Sequence, residues 1–193
     1  EDMVAPEARR LGWVMMRILA SAAALPPMPL DPLDALSPID GRYARATERL
    51  RPHLSEAALV RERIRIEAQW LLQLAGPDSP ALPAGPRLVA SVEAVARTLA
   101  AEPPQSAATQ VKAIEARINH DVKAVEYFIK ERLGQHAPWR SRLEFVHFAC
   151  TSEDINNLSH ALMLRDSREP LLLPALDRVV VKLASLAHAW ADL

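Results

Sequence analysis

Three short stretches of this 193-residue sequence hold the residue types from which a binding or catalytic site is built. The first is Ser37-Pro38-Ile39-Asp40-Gly41-Arg42-Tyr43. Pro-x-Asp-Gly is a turn signal, because proline presets one φ while aspartate and glycine tolerate the rest of the turn. Such a turn either just leads the chain into a helix or presents Arg42 and Tyr43 to an anion, offering a planar guanidinium fork and a phenolic donor. The second is Asn119-His120-Asp121. Within a helix, consecutive side chains diverge by about 100 degrees, so these three do not share a direction and His120 and Asp121 form no dyad. At least one then points near the buried side, where a polar group needs a partner. It belongs either to a satisfied core network or to the lining of a pocket. The third stretch runs from Glu144 to Asn157. In Thr151-Ser152-Glu153-Asp154 a hydroxyl precedes an acid by three residues, the signature of a capped helix start. The same geometry suits anion binding, since free N–H groups and the positive end of the helix dipole attract carboxylate or phosphate. The Thr151 and Ser152 hydroxyls would complete that site, and His147, shortly upstream, is a second-tier candidate for it. Cys150 has no basic neighbour and reads as a packing residue rather than a nucleophile.

Other chemistries are excluded by what the sequence lacks. Five scattered glycines make no phosphate-cradling loop. There is no His-Glu-x-x-His and no histidine pair four residues apart, so no metal site is expected. There is no Gly-x-Ser-x-Gly elbow. One cysteine permits no internal disulfide and weakly suits a reducing compartment. Lys and Arg number 23 against 24 Asp and Glu, so no field of one sign exists to gather nucleic acid. Aromatics are only 5%, too few for base-stacking platforms.

The elements that must position these stretches read as helices separated by proline. Residues 53 to 76 carry Leu54, Ala58, Val60, Ile64, Trp70, Leu71 and Leu74 at helical spacing, with Arg61, Glu62, Arg63, Arg65 and Glu67 between them. Gly76-Pro77 ends that helix, and residues 77 to 86 form a proline-rich loop. A shorter helix runs from Arg87 to about Ala101. Residues 105 to 133 read as one long helix, because Ile114, Ile118, Val122, Val125 and Ile129 recur as a single apolar stripe. A short segment from Trp139 to Ala149 leads to a helix from Ser152 to about Ser167. The last helix repeats Leu172, Leu176, Val179, Leu183, Leu186 and Trp190 as a heptad seam, with Leu173, Val180 and Ala187 beside it. Two apolar rows suit burial among several neighbours in a complete bundle, while in this chain by itself the seam is expected to be exposed and to make the chain associate. No segment alternates with a period of two, so the fold class is all-α.

The ends read differently. Residues 1 to 30 hold an apolar run after Arg9-Arg10, but Arg17 interrupts it and Glu1, Asp2 and Glu7 oppose a secretory signal. The stretch is too short and polar to span a bilayer. It is expected to be a disordered or weakly helical extension, with Met28 a candidate natural start. The heptad seam is still running at Leu193, so the last helix is expected to continue in a longer protein.

Residues 37 to 43, Asn119 to Phe128 and Glu144 to Leu164, in that order and spacing, resemble the N-terminal part of the bacterial adenylosuccinate lyase family, within the fumarase/aspartase superfamily. The resemblance covers about residues 35 to 193. It implies an N-terminal helical domain over residues 31 to 168 and, over 169 to 193, the first helix of a long central bundle pooled in a cytoplasmic homotetramer. It implies a β-elimination that releases fumarate from adenylosuccinate, giving AMP, and from succinyl-aminoimidazole carboxamide ribotide, with no metal or cofactor. Arg42 and Tyr43 would contact the nucleotide, Asn119, His120 and Asp121 would line the pocket, and Thr151 and Ser152 would bind an acidic group. The family's acid, a histidine in a Thr-His-Gly segment, and its base, a serine on a later loop, have no counterpart in these residues. The 193-residue chain alone is therefore expected to be inactive. Two other readings are another lyase of the superfamily, such as argininosuccinate lyase, and a non-catalytic helical interaction module. Neither membrane nor nucleic acid is an expected partner.

Overall fold

The computed structural model describes residues 31, 33–76, 79, 86–101 and 104–193. The expected extension over residues 1 to 30 lies outside the described residues. The chain divides into two compact units, Glu1–Thr47 and Glu48–Leu193. In the first, residues 37 to 47 wind through successive turns. The Gly41 N–H donates to Ser37 O at 2.9 Å and the Tyr43 N–H to Pro38 O at 2.9 Å. The turn expected from Pro-x-Asp-Gly is therefore present, and Gly41 is buried in it.

The second unit is helical, and among its described residues there is no strand. After a helical turn at Arg51–Leu54, helix α1 spans Glu56–Leu74, with the Ser55 hydroxyl accepting from the Ala58 N–H at 3.3 Å as its cap. Helix α2 spans Pro86–Ala101, α3 Pro104–Ile118, α4 Asp121–Leu133, α5 Ser152–Ser167 and α6 Leu173–Ala189. The core forms where the apolar rows of four helices converge. Val60, Ile64, Leu71 and Leu74 of α1 meet Leu88 and Val92 of α2, Val111 and Ile114 of α3, and Val125, Phe128 and Ile129 of α4. Trp139, in the 3₁₀ turn after α4, is fully buried and closes that core. Helix α5 packs along the opposite side of α1.

One expectation fails. The helix expected over residues 105 to 133 is two helices, and the chain reverses at Asn119-His120. The Asn119 N–H still donates to Glu115 O at 2.7 Å, but its φ is 53°, the left-handed conformation that stops a helix. Asparagine tolerates that conformation better than most residues. His120 follows in extended geometry, at φ −150° and ψ 116°, and caps α4. The apolar stripe misled because α3 and α4 lie side by side and present their rows to one core. Arg132 on α4 reaches back to Gln110 on α3 at 3.1 Å.

The seam of the heptad-bearing helix is exposed, as expected for this chain by itself. Leu176, Val180 and Leu183 are 60%, 62% and 60% exposed. Helix α5 runs on into α6 through a π-helical turn at Arg168–Leu172, where the Leu173 N–H donates to Arg168 O. Pro170 within it has no N–H to give to an α-helical ladder, and the wider turn accommodates it. Beyond this turn α6 leaves the core.

Candidate functional site

Helix α1 organises the polar residues. Its apolar row, Val60, Ile64, Leu71 and Leu74, steps by four and three, and Glu67 occupies the row's middle position. Arg63 and Trp70 flank that row. The consequence is burial of charge: Arg63 is 5% exposed and Glu67 1%. Neither is the solvated residue that a charged position between apolar ones suggests. Arg63 instead has partners on α4 and α5, and Glu67 has one in the loop before α5.

Arg63 joins two of the sequence clusters. Its Nη2 donates to Asp121 Oδ2 at 2.6 Å, and its Nε donates to Asn156 Oδ1 at 2.9 Å. One guanidinium thus ties the start of α4 to the first turns of α5. Partial burial pushes the Asp121 carboxyl up, but the Val122 N–H and the Arg63 charge outweigh it and hold the carboxyl below the usual aspartate range. Asp121 is therefore a fixed negative charge, already partnered.

The left-handed corner replaces the helix in which the three polar residues would have diverged. Asn119 and His120 are exposed and Asp121 is half-buried. His120 Nδ1 accepts from the Lys123 N–H at 3.1 Å. An accepting Nδ1 leaves the ring proton on Nε2, so the free edge of His120 is a donor. Its Nδ1 lies 3.7 Å from Asp121 Oδ1, too far for a hydrogen bond, so no dyad forms. These residues, with Arg63, Glu56, Leu59 and Glu115, line a cleft of about 480 Å³ between α1, the end of α3 and the start of α4.

The third cluster sits on a strained loop. His147 and Ala149 both take positive φ, 66° and 60°. Backbone in this region costs free energy and persists where surrounding contacts over-determine it. Those contacts come from α1. Glu67 Oε1 lies 2.5 Å from His147 Nδ1, and Trp70 Nε1 donates to Phe148 O at 2.8 Å. The loop then delivers Thr151 as the N-cap of α5 in a complete capping box. Thr151 Oγ1 accepts from the Asp154 N–H at 3.4 Å, while Asp154 Oδ2 accepts from the Thr151 N–H at 2.7 Å and its hydroxyl at 2.8 Å. These bonds hold the exposed Asp154 carboxyl below its usual range. The Thr151 hydroxyl is thus occupied, and the half-buried Ser152 hydroxyl has no partner among the described residues. Burial, with the charges of Glu67 and Asp154, pushes the Cys150 thiol up, which keeps it a thiol rather than a thiolate.

Of the sequence candidates, Asn119, His120 and Asp121 line one cleft, while His147, Thr151 and Ser152 share the loop before α5. Arg63 links the two groups through Asp121 and Asn156. Arg42 and Tyr43 belong to the first unit, where the Arg42 guanidinium lies over the Tyr43 ring at 4.8 Å. Arg63, Glu67 and Trp70 were not singled out from the sequence, and Asn156 only as a polar residue at the end of the third stretch. Glu67 had a readable signal, an acid at the centre of a four-three apolar repeat. Among the described residues no group of three or more His, Cys, Asp or Glu side chains could hold a metal ion. No helix among them is long and apolar enough to cross a membrane.

The lyase family is matched over residues 41–193, and the chain belongs to that family. Its relatives include the adenylosuccinate lyase of Vibrio cholerae serotype O1, 42% identical over 166 residues. The adenylosuccinate lyase of Escherichia coli K12 is 40% identical over 166 residues, and that of Legionella pneumophila strain Corby 38% over 165. Each alignment covers 86% of this chain and 36% of the relative, so the chain spans about a third of the length of the curated relatives it matches.

Proposed function

We propose that this chain is the substrate-binding N-terminal part of an adenylosuccinate lyase of purine biosynthesis. The enzyme releases fumarate by β-elimination from adenylosuccinate, yielding AMP, and from succinyl-aminoimidazole carboxamide ribotide. The observation that carries the reading is the Arg63 bridge, which ties the Asn119-His120-Asp121 cleft to the start of α5. A substrate with a phosphate and two carboxylates needs donors and cations aimed at its oxygens. In this reading His120 Nε2–H and Asn119 line the pocket and Ser152 binds a carboxylate. Thr151 contributes through its cap and Asp121 through its bond to Arg63. Arg42 and Tyr43 contact the nucleotide. His147 is an additional contact. The acid and the base are supplied by parts of the enzyme other than these 193 residues, and sites are completed in a cytoplasmic homotetramer.

The test has two arms. Purified chain is mixed with adenylosuccinate and the loss of substrate absorbance followed; no turnover is expected. AMP and argininosuccinate are then titrated calorimetrically, and AMP alone is expected to bind. Binding of argininosuccinate instead would move the chain to another lyase of the superfamily. Binding of neither would favour a non-catalytic helical interaction module, the reading to which the exposed apolar face of α6 lends support.

A further inference from the structure

Glu67 is the least explicable residue of the unit if its role is only structural. It stands in the apolar row of α1 with a side chain that is 0% exposed. An acid there costs desolvation that a leucine would not. One oxygen, Oε1, lies 2.5 Å from His147 Nδ1. The other, Oε2, is buried with no hydrogen bond among the described residues. A carboxylate against one ring nitrogen of histidine fixes which nitrogen carries the proton and where the other points. The held residue is moreover in the left-handed conformation, three positions after which its loop delivers Cys150 and then the cap of α5. His147 is 18% exposed, and with Nδ1 against Glu67 its Nε2 is the edge left for solvent or ligand, in the loop that leads directly to the Thr151 cap of α5.

We infer that Glu67 is a positioning residue: it holds His147 as the Nδ1–H tautomer and turns Nε2 toward the start of α5, where a substrate carboxylate meets Ser152. This rests on the reading of Thr151 and Ser152 as the acidic-group site. Arg63, Glu67 and Trp70 then form one polar ridge, at intervals of four and three along α1, that holds both site loops from behind. Arg63 sets Asp121 and Asn156, Glu67 sets the His147 ring, and Trp70 fixes the following carbonyl.

The 193-residue chain, labelled with ¹⁵N-histidine, allows the tautomer to be read from long-range proton–nitrogen correlations. Fumarate is then titrated and the Thr151 and Ser152 amides followed, in wild type, Glu67→Gln and Glu67→Leu. Gln is isosteric with Glu and Leu is slightly larger, and thermal melts check that both variants fold. The expected result is Nδ1–H in wild type, and fumarate affinity about tenfold weaker in Glu67→Leu despite an unreduced Tm. Glu67→Gln, which retains an acceptor, keeps most of the affinity. An Nε2–H tautomer in wild type overturns the inference and leaves the proposed function standing. So does a Glu67→Leu variant that binds fumarate like wild type. If fumarate moves neither amide in wild type, the reading of Thr151 and Ser152 fails and Glu67 has nothing to position.

Discussion

At the scale of single residues, two of the three glutamates buried among the unit's described residues, Glu67 and Glu126, pull stability in opposite directions as they protonate. Burial raises the Glu67 carboxyl, the His147 hydrogen bond only partly offsets it, and the negative charge of Glu126 adds to the rise. Burial also acts on Glu126, but Lys123 at 2.8 Å and Lys130 at 2.9 Å outweigh it and hold that carboxyl below its ordinary value. The signs follow from proton counts. Folded Glu67 keeps its proton to higher pH than unfolded Glu67, so its contribution is lost as pH rises from 4.5 through the folded value. Folded Glu126 releases its proton at lower pH, so its contribution is present above 4.5 and lost as pH falls through the folded value. Urea midpoints measured across pH are expected to show Glu67→Gln removing the alkaline-side decline and Glu126→Gln removing the acid-side one. Parallel curves for the two variants would contradict both assignments. Arg63 makes a second residue-scale case. In Arg63→Met the apolar stem is kept, but Asp121 and Asn156 lose their donor. AMP affinity is expected to drop about tenfold while stability falls by only about 1 kcal/mol, a modest loss because Asp121 is 45% exposed. Calorimetry and urea unfolding on the same sample measure both.

At the scale of elements, the corner between α3 and α4 and the loop before α5 both depend on left-handed residues that are not glycine. A left-handed φ costs a residue with a Cβ about 1–2 kcal/mol, and asparagine less. Asn119→Ala is therefore expected to destabilise by about 1 kcal/mol and Asn119→Gly to be close to neutral. Ala149→Gly, at φ 60°, is expected to stabilise by up to about 1 kcal/mol. Chemical unfolding of the three variants tests this, and an Asn119→Ala variant as stable as wild type would mean that the corner has relaxed into another shape. These two positions also mark where the sequence could and could not be read. The C-terminal ends of α1 and α4 and the capping box at Thr151 follow from local rules, in which Gly, Pro and a hydroxyl-acid pair announce themselves, whereas the break at Ser55 before α1 is not read from the sequence. The corner does not, because an asparagine performs a turn that only its φ reveals, and the apolar stripe keeps its spacing across the break. The site was half legible for the same reason. Asn119, His120, Asp121, Thr151 and Ser152 stand out as clustered polar residues. Arg63 and Glu67 are scattered among other charges on α1, and only the fold distinguishes a buried charge from a solvated one.

At the scale of the whole molecule, the second unit has one helix that its own core does not use. Leu176, Val179, Val180, Val181, Leu183 and Trp190 of the α6 segment are each between 56% and 68% exposed. Contiguous apolar surface of this kind is rare on proteins that act as monomers. Fully covering one Val or Leu is worth about 1.5–3 kcal/mol, so covering this row on two copies supplies free energy of the same order as the freedom they lose on pairing. The seam repeats at four and three residues, which matches knobs-into-holes packing between helices of several copies rather than a small ligand. Self-association through α6 is thus the expected behaviour of the chain, and it agrees with the proposed homotetramer. Sedimentation equilibrium should give a mass that rises with concentration. The pair Val180→Lys and Leu183→Glu, placed on a surface that supports no internal contact of the core, should return it to the monomer mass of 21.3 kDa without lowering its Tm. A wild-type chain that stays monomeric at the highest soluble concentration would mean that α6 alone does not drive association, and self-association through this face would lose its support. If the double variant is monomeric and still binds AMP, one subunit supplies the nucleotide contacts by itself. If AMP binding disappears with association, residues of a neighbouring copy complete the cleft around His120.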